Sequence, residues 1–137
     1  AEQKLIETKY RQGMYMYDIG NFESALKVLG EVRNEYEPAA YAFADIQYIW
    51  VMELIGEENY LKAYNVVMYA PENFDENDIS VIKDYVYQKG QLWYHEKSYD
   101  NSLECFETLG DYKDSDKYIT IINMLDFFNS DKERNIL

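Results

Sequence analysis

The chain has 137 residues, 26 acidic against 13 basic, and a formal net charge of −13. Its 47% hydrophobic and 17% aromatic content supports a packed core and argues against disorder. No apolar run has the length of a membrane span, and the negative charge disfavours phosphate backbones and anionic lipid. A basic protein or peptide is the natural electrostatic partner.

The chain opens with Ala1 and not Met, so an upstream signal or anchor is compatible with what is seen. The first element reaches the turn Ile19-Gly20-Asn21, where Gly20 suits a left-handed helix terminus and Asn21 the next cap. Phe22, Leu26 and Leu29 then mark a second helix. A loop over Pro71–Asp78 precedes a longer helix, with Asp75 or Asn77 as its cap. Ile79, Ile82, Val86 and Trp93 recur at helical spacing there, and Leu92 widens the stripe. Lys97-Ser98 supplies a turn, after which Tyr99, Leu103, Phe106 and Leu109 form one apolar face. A last helix, capped by Asp114 or Ser115, carries Tyr118, Ile119, Ile122, Leu125 and Phe128. From Asn129 to Leu137 the pattern ends and fraying is expected.

These elements repeat. Tyr60 lies 38 residues after Phe22, and Tyr99 another 39 later; Ala25, Ala63 and Ser102 keep the same step, as do Tyr10, Tyr48 and Tyr87. Gly13 and Gly90 are 77 apart, as are Tyr17 and Tyr94, and Leu29 and Phe106, with Val67 in the matching middle column. Agreement over so many columns at one offset marks a helical repeat. A mid-helix glycine costs about 1 kcal/mol relative to alanine. Gly13 and Gly90 at like positions therefore predict a close approach by a neighbouring helix, completed by Ala25 and Ser102.

The run Gly13, Met16, Gly20-Asn21-Phe22, Ala25-Leu26, Leu29, Val32 resembles the tetratricopeptide repeat. The third unit matches through Gly90, Trp93, Tyr99, Ser102-Leu103, Phe106 and Leu109. The middle unit has Val51 in the glycine column, while Leu54, Tyr60, Ala63, Val67 and Ala70 fit. The period exceeds the family's usual repeat of about 34 residues. The phrase LGDYKDSDKYI, Leu109 to Ile119, looks like one recurrent in tetratricopeptide-like repeats of bacterial multidomain proteins. The resemblance implies an all-α, right-handed α-α superhelix forming a single domain over residues 1–137. Its repeats would be about 2–37, 38–76 and 77–110, with a capping helix about 114–129, the alternative being that this helix opens a fourth unit. A cytoplasmic or extracytoplasmic segment of a larger bacterial protein is the implied setting.

Residues for chemistry are few. His95 is the only histidine, which excludes histidine-based metal sets, and it is expected at a helix end. Cys105, the only cysteine, makes an intramolecular disulfide impossible and is expected to pack. No phosphate loop, dinucleotide fingerprint or nucleophile elbow is present. In PENFDEND, Asp75 and Asn77 begin a calcium-loop pattern that Ile79 and the missing glycine break. No catalytic residue, cofactor or metal is therefore expected.

In tetratricopeptide-like arrays the first helices line a concave groove that binds peptides. Transferred to this chain, the groove columns are Tyr10, Met14, Tyr17 and Asp18 in the first unit. They are Tyr48, Met52 and Ile55 in the second, and Tyr87, Gln91, Tyr94 and His95 in the third. None is Lys or Arg, so the carboxylate clamp of chaperone-type members is not expected. The expected function is a noncatalytic scaffold that binds a basic or apolar protein or peptide, with the tyrosines either contacting the partner or packing between repeats. An acidic imitator of nucleic acid that blocks a basic site is the other reading, an enzyme a third, and a purely structural spacer the last.

Overall fold

The computed structural model describes residues 2–136, with side-chain surroundings through Asp131. It is all-α: α1 (Glu2–Asp18), α2 (Phe22–Val32), α3 (Glu37–Gly56), α4 (Tyr60–Tyr69), a short 3-10 turn (Pro71–Asn73), α5 (Glu76–His95), α6 (Tyr99–Leu109) and α7 (Ser115–Ile136). There is no strand among the described residues. No helix among them is long and apolar enough to cross a membrane. The chain divides into two compact units, Ala1–Phe74 and Asp75–Leu137. Within the first, α1 packs on α2, α2 on α3 and α3 on α4; within the second, α5 packs on α6 and α6 on α7.

The repeat is visible in the backbone. α1 ends with Gly20 N–H donating to Tyr17 O (2.9 Å) and Asn21 N–H to Met16 O (2.8 Å), the paired bonds of a Schellman terminus. α3 ends the same way at Glu58 and Asn59, on Ile55 O and Leu54 O (both 2.9 Å). α5 follows at Lys97 and Ser98, on Tyr94 O (3.1 Å) and Trp93 O (2.8 Å). The three hinge residues have φ of 82°, 60° and 63°, and only Gly20 is a glycine. Asn21 caps α2 by accepting from Ser24 N–H at 3.1 Å. Asp75 caps α5 by accepting from Asn77 N–H at 2.8 Å.

Gly13 and Gly90 are both buried. A Cβ on Gly13 would stand 2.5 Å from Leu29 Cγ, and one on Gly90 2.9 Å from Phe106 Cζ and 3.1 Å from Cys105 Cβ. The closest partner is thus Leu29 or Phe106, one turn beyond the expected Ala25 and Ser102. Those small residues are still fully buried, and Ser102 Oγ donates to Gly90 O at 2.8 Å. In the first unit the α3–α4 pair is fixed by a polar group that the apolar pattern does not announce. Fully buried Gln47 shares its amide N–H groups among Val66 O (2.9 Å), Val67 O (3.4 Å) and Ala70 O (3.3 Å), carbonyls at the end of α4. Its Oε1 accepts from Asn73 Nδ2 at 2.9 Å.

LGDYKDSDKYI builds the bend between α6 and α7. Gly110 adopts φ 66°, ψ −117°, open to little but glycine. Tyr112 OH donates to Asp84 Oδ1, and Lys113 pairs with the same oxygen at 2.6 Å. Buried Ser115 donates to Tyr112 O at 2.6 Å, and Tyr118 stacks on Phe106 at 4.4 Å.

Three expectations are corrected. α7 continues through Ile136, past Asn129, because no Gly or Pro from Asn129 to Ile136 interrupts it; Leu137 lies outside the described residues. Leu92 and Phe128 are exposed (47% and 59%), at the margins of their stripes, while Ile82, Val86 and Ile122 carry the burial.

Candidate functional site

Tyr10, Met14 and Tyr17 project from α1 at intervals of four and three, so they share one face. They line a cleft of about 480 Å³ whose other wall is α3 between Pro38 and Ile49, including Tyr41, Asp45 and Ile49. Ala42 lies on that wall too, and its single methyl leaves the space between the walls open. The rings are braced from behind. Tyr10 meets Tyr36 edge-on at 5.4 Å, Tyr17 meets Phe22 at 5.8 Å, and Phe22 stacks on Trp50 at 5.7 Å. Tyr41 OH donates to Glu37 Oε1 at 2.9 Å, and that bond pushes its pKa above the ordinary phenol value, so it remains a donor. Asp45 is exposed on the rim, and no Lys or Arg among the described residues lines the cleft.

The other expected groove residues are placed differently. Asp18 is exposed at the end of α1 and does not line the cleft. Tyr48 and Met52 are exposed (54% and 49%) and Ile55 is half-buried; all are on α3 and none lines the cleft. In the second unit, Tyr87 is 8% exposed and meets Phe106 edge-on at 5.6 Å. Gln91 Nε2 donates to Tyr118 OH at 3.1 Å, and Tyr94 meets the Tyr118 ring at 5.1 Å. His95 is exposed at the end of α5, edge-on to Tyr94 at 5.6 Å. Tyr41, Ala42, Asp45 and Ile49 were missed because matching columns by repeat offset points to Tyr48 and Met52. The signal available was an i, i+4, i+8 stripe, Tyr41-Asp45-Ile49, beginning four residues after Glu37.

A larger cleft, about 540 Å³, lies in the same unit between α2, α4 and Trp50. It carries Lys27 and Lys62, with Lys62 Nζ 5.4 Å from the centre of the Trp50 ring. It contains none of the expected groove residues.

Cys105 is buried, and burial pushes its thiol up to about 11, which keeps it protonated at neutral pH. Among the described residues no three His, Cys, Asp or Glu side chains come together as a metal set. No family model, curated protein or solved structure matches this chain.

Proposed function

We propose that the chain is a noncatalytic, tetratricopeptide-like repeat module that binds a protein or peptide segment in the cleft between α1 and α3. The observation that carries this reading is the cleft itself: tyrosines and a methionine braced by second-layer aromatics, open to solvent and edged by a carboxylate. Tyrosine offers large contact area at low conformational cost, and methionine adapts to varied shapes. The recurring helix termini at residues 20, 58 and 97 support the repeat assignment.

Selection from a random peptide display library with the immobilised chain tests the proposal. Enriched peptides should lose binding to Tyr17→Ala and to Met14→Glu, each checked for native helicity by circular dichroism. Tyr94→Ala, which removes a ring already packed on Tyr118, should lower unit-two stability and leave peptide binding intact. Absence of any enrichment, or enriched peptides indifferent to Tyr17 and Met14, refutes the proposal.

A further inference from the structure

The second unit contains its own answer to what the first unit's cleft accepts. Tyr87, Gln91 and Tyr94 stand 77 positions after Tyr10, Met14 and Tyr17. All three are engaged by one aromatic side chain, Tyr118. Its ring lies 6.2 Å from Tyr87 and 5.1 Å from Tyr94, and its hydroxyl accepts from Gln91 at 3.1 Å. The Lys113 ammonium, five residues earlier in the same segment, lies 5.4 Å from the centre of the Tyr87 ring. One short stretch of chain therefore delivers an aromatic ring and a cation to this set of columns.

In the first unit the columns Tyr10, Met14 and Tyr17 have an open cleft beside them. Tyr41 is 65% exposed and bonded to Glu37, and Ala42 is too small to fill the space. The volume, about 480 Å³, falls among those of ligand pockets. Charge supplies the second half of the specification. Asp45 lines the cleft without any lining Lys or Arg, on a chain of net charge −13. We infer that this cleft receives a tyrosine or phenylalanine side chain from a partner segment that carries a lysine or arginine close by, the same pair of groups that Tyr118 and Lys113 provide internally in the second unit. The aromatic ring contributes apolar burial and edge-on contacts with Tyr10 and Tyr17, and the cation faces Asp45 and the tyrosine rings. The inference rests on the proposed function, of which it names the ligand class.

The test uses the whole chain, isotope-labelled for amide spectroscopy, titrated with the capped peptide Ala-Lys-Tyr-Lys-Ala. Saturable shifts are expected at amides of Tyr10 to Tyr17 and Tyr41 to Ile49. Replacing the peptide tyrosine by alanine should weaken binding about tenfold or more. Replacing both lysines by glutamate should weaken it several-fold, and added salt should shrink that difference. Ala42→Trp should plug the cleft and abolish the titration. Asp45→Lys, at an exposed position that threatens the fold least, should selectively weaken the lysine peptide. Equal affinity for the tyrosine and alanine peptides at cleft amides overturns this inference while leaving the peptide-binding function standing. Saturable shifts confined to other surfaces, or none at millimolar peptide, also overturn it; display-selected peptides that need Tyr17 and Met14 would then show the function surviving without it.

Discussion

Gly13→Ala sets two known effects against each other. In an unobstructed helix interior the change gains about 1 kcal/mol from propensity. Here the new Cβ would lie 2.5 Å from Leu29 Cγ and 2.7 Å from Cδ2. Ordinary carbon contacts stand at about 3.5–4.0 Å, so the leucine must retreat by about 1 Å. Leu29 is fully buried and has no solvent to retreat into. Overpacking of this kind costs about 1–3 kcal/mol, and against the propensity gain the variant should end about 1 kcal/mol less stable. Gly56 provides the control: it sits in the last turn of α3 with nothing within 4 Å of where an added methyl would stand, so Gly56→Ala should be neutral or stabilising by up to about 1 kcal/mol. Urea unfolding followed by tryptophan emission reads both, because Trp50 reports the first unit and Trp93 the second, and Trp93→Phe isolates the first. In a Leu29→Ala background the penalty of Gly13→Ala should vanish, since its cause is gone. If Gly13→Ala stabilises as much as Gly56→Ala, α1 and α2 do not approach as described, and the explanation of the repeated glycine column is wrong.

Gln47→Leu takes the side-chain donor from Val66 O and the acceptor from Asn73 Nδ2, while Val67 O and Ala70 O keep the backbone N–H groups of Ala70 and Asn73, and should cost about 1–3 kcal/mol, measured by Trp50 emission during urea unfolding. Glu58→Gly and Lys97→Gly relieve left-handed backbone at non-glycine hinges and should each stabilise by about 0.5–1 kcal/mol, while Gly20→Ala should do the reverse. Asp84 is held below the usual carboxylate value by Lys113, then by the Tyr112 hydroxyl. Its contribution is present above pH about 4 and is lost as pH falls through the lowered value, so Asp84→Asn should flatten the acid limb of second-unit stability. At the alkaline end, Tyr112 is raised mainly by burial and Lys113 mainly by its bond to Asp84. Their contribution is present below pH about 10 and is lost as pH rises through those raised values, a loss that Asp84→Asn should also reduce.

The helices and hinges were legible because they are written more than once. Gly20 announces its left-handed turn chemically, and the offsets of 38 and 39 carry that geometry to Glu58 and Lys97, whose side chains do not. The glycine column likewise pointed to α2 and α6, though Leu29 and Phe106 proved to be the closest neighbours. Gln47 was not legible. Its columns hold Lys9 in the first repeat and Val86 in the third, and its partners lie 19 to 26 residues onward at a helix end that repetition does not mark. The cleft was half legible. Its α1 wall follows from one helix face, but its α3 wall depends on how far one helix is displaced along another, which side-chain volumes decide and column matching does not.

The distribution of cations gives the open cleft its chemical character. Lys62 lies over Trp50, Arg33 over Phe43 at 4.4 Å, Lys89 over Trp93 at 5.3 Å, and Lys113 over Tyr87 and Tyr112. Lys9 and Arg33 also pair with Glu31 and Glu72. Such contacts cover aromatic faces that would otherwise be wet, and each is worth little alone at an exposed site. Their joint effect is to place basic side chains on rings and carboxylates elsewhere in each unit, so Tyr10, Tyr17, Tyr41 and Asp45 meet no lysine or arginine within their own cleft. On the proposed function, an incoming cation would find tyrosine faces without displacing a resident one, and would approach a chain of net charge −13. That attraction is screened over about 10 Å at 0.1 M salt, whereas burial of an aromatic ring is not. Raising the salt should therefore slow association with the cleft and leave most of the affinity that comes from the ring.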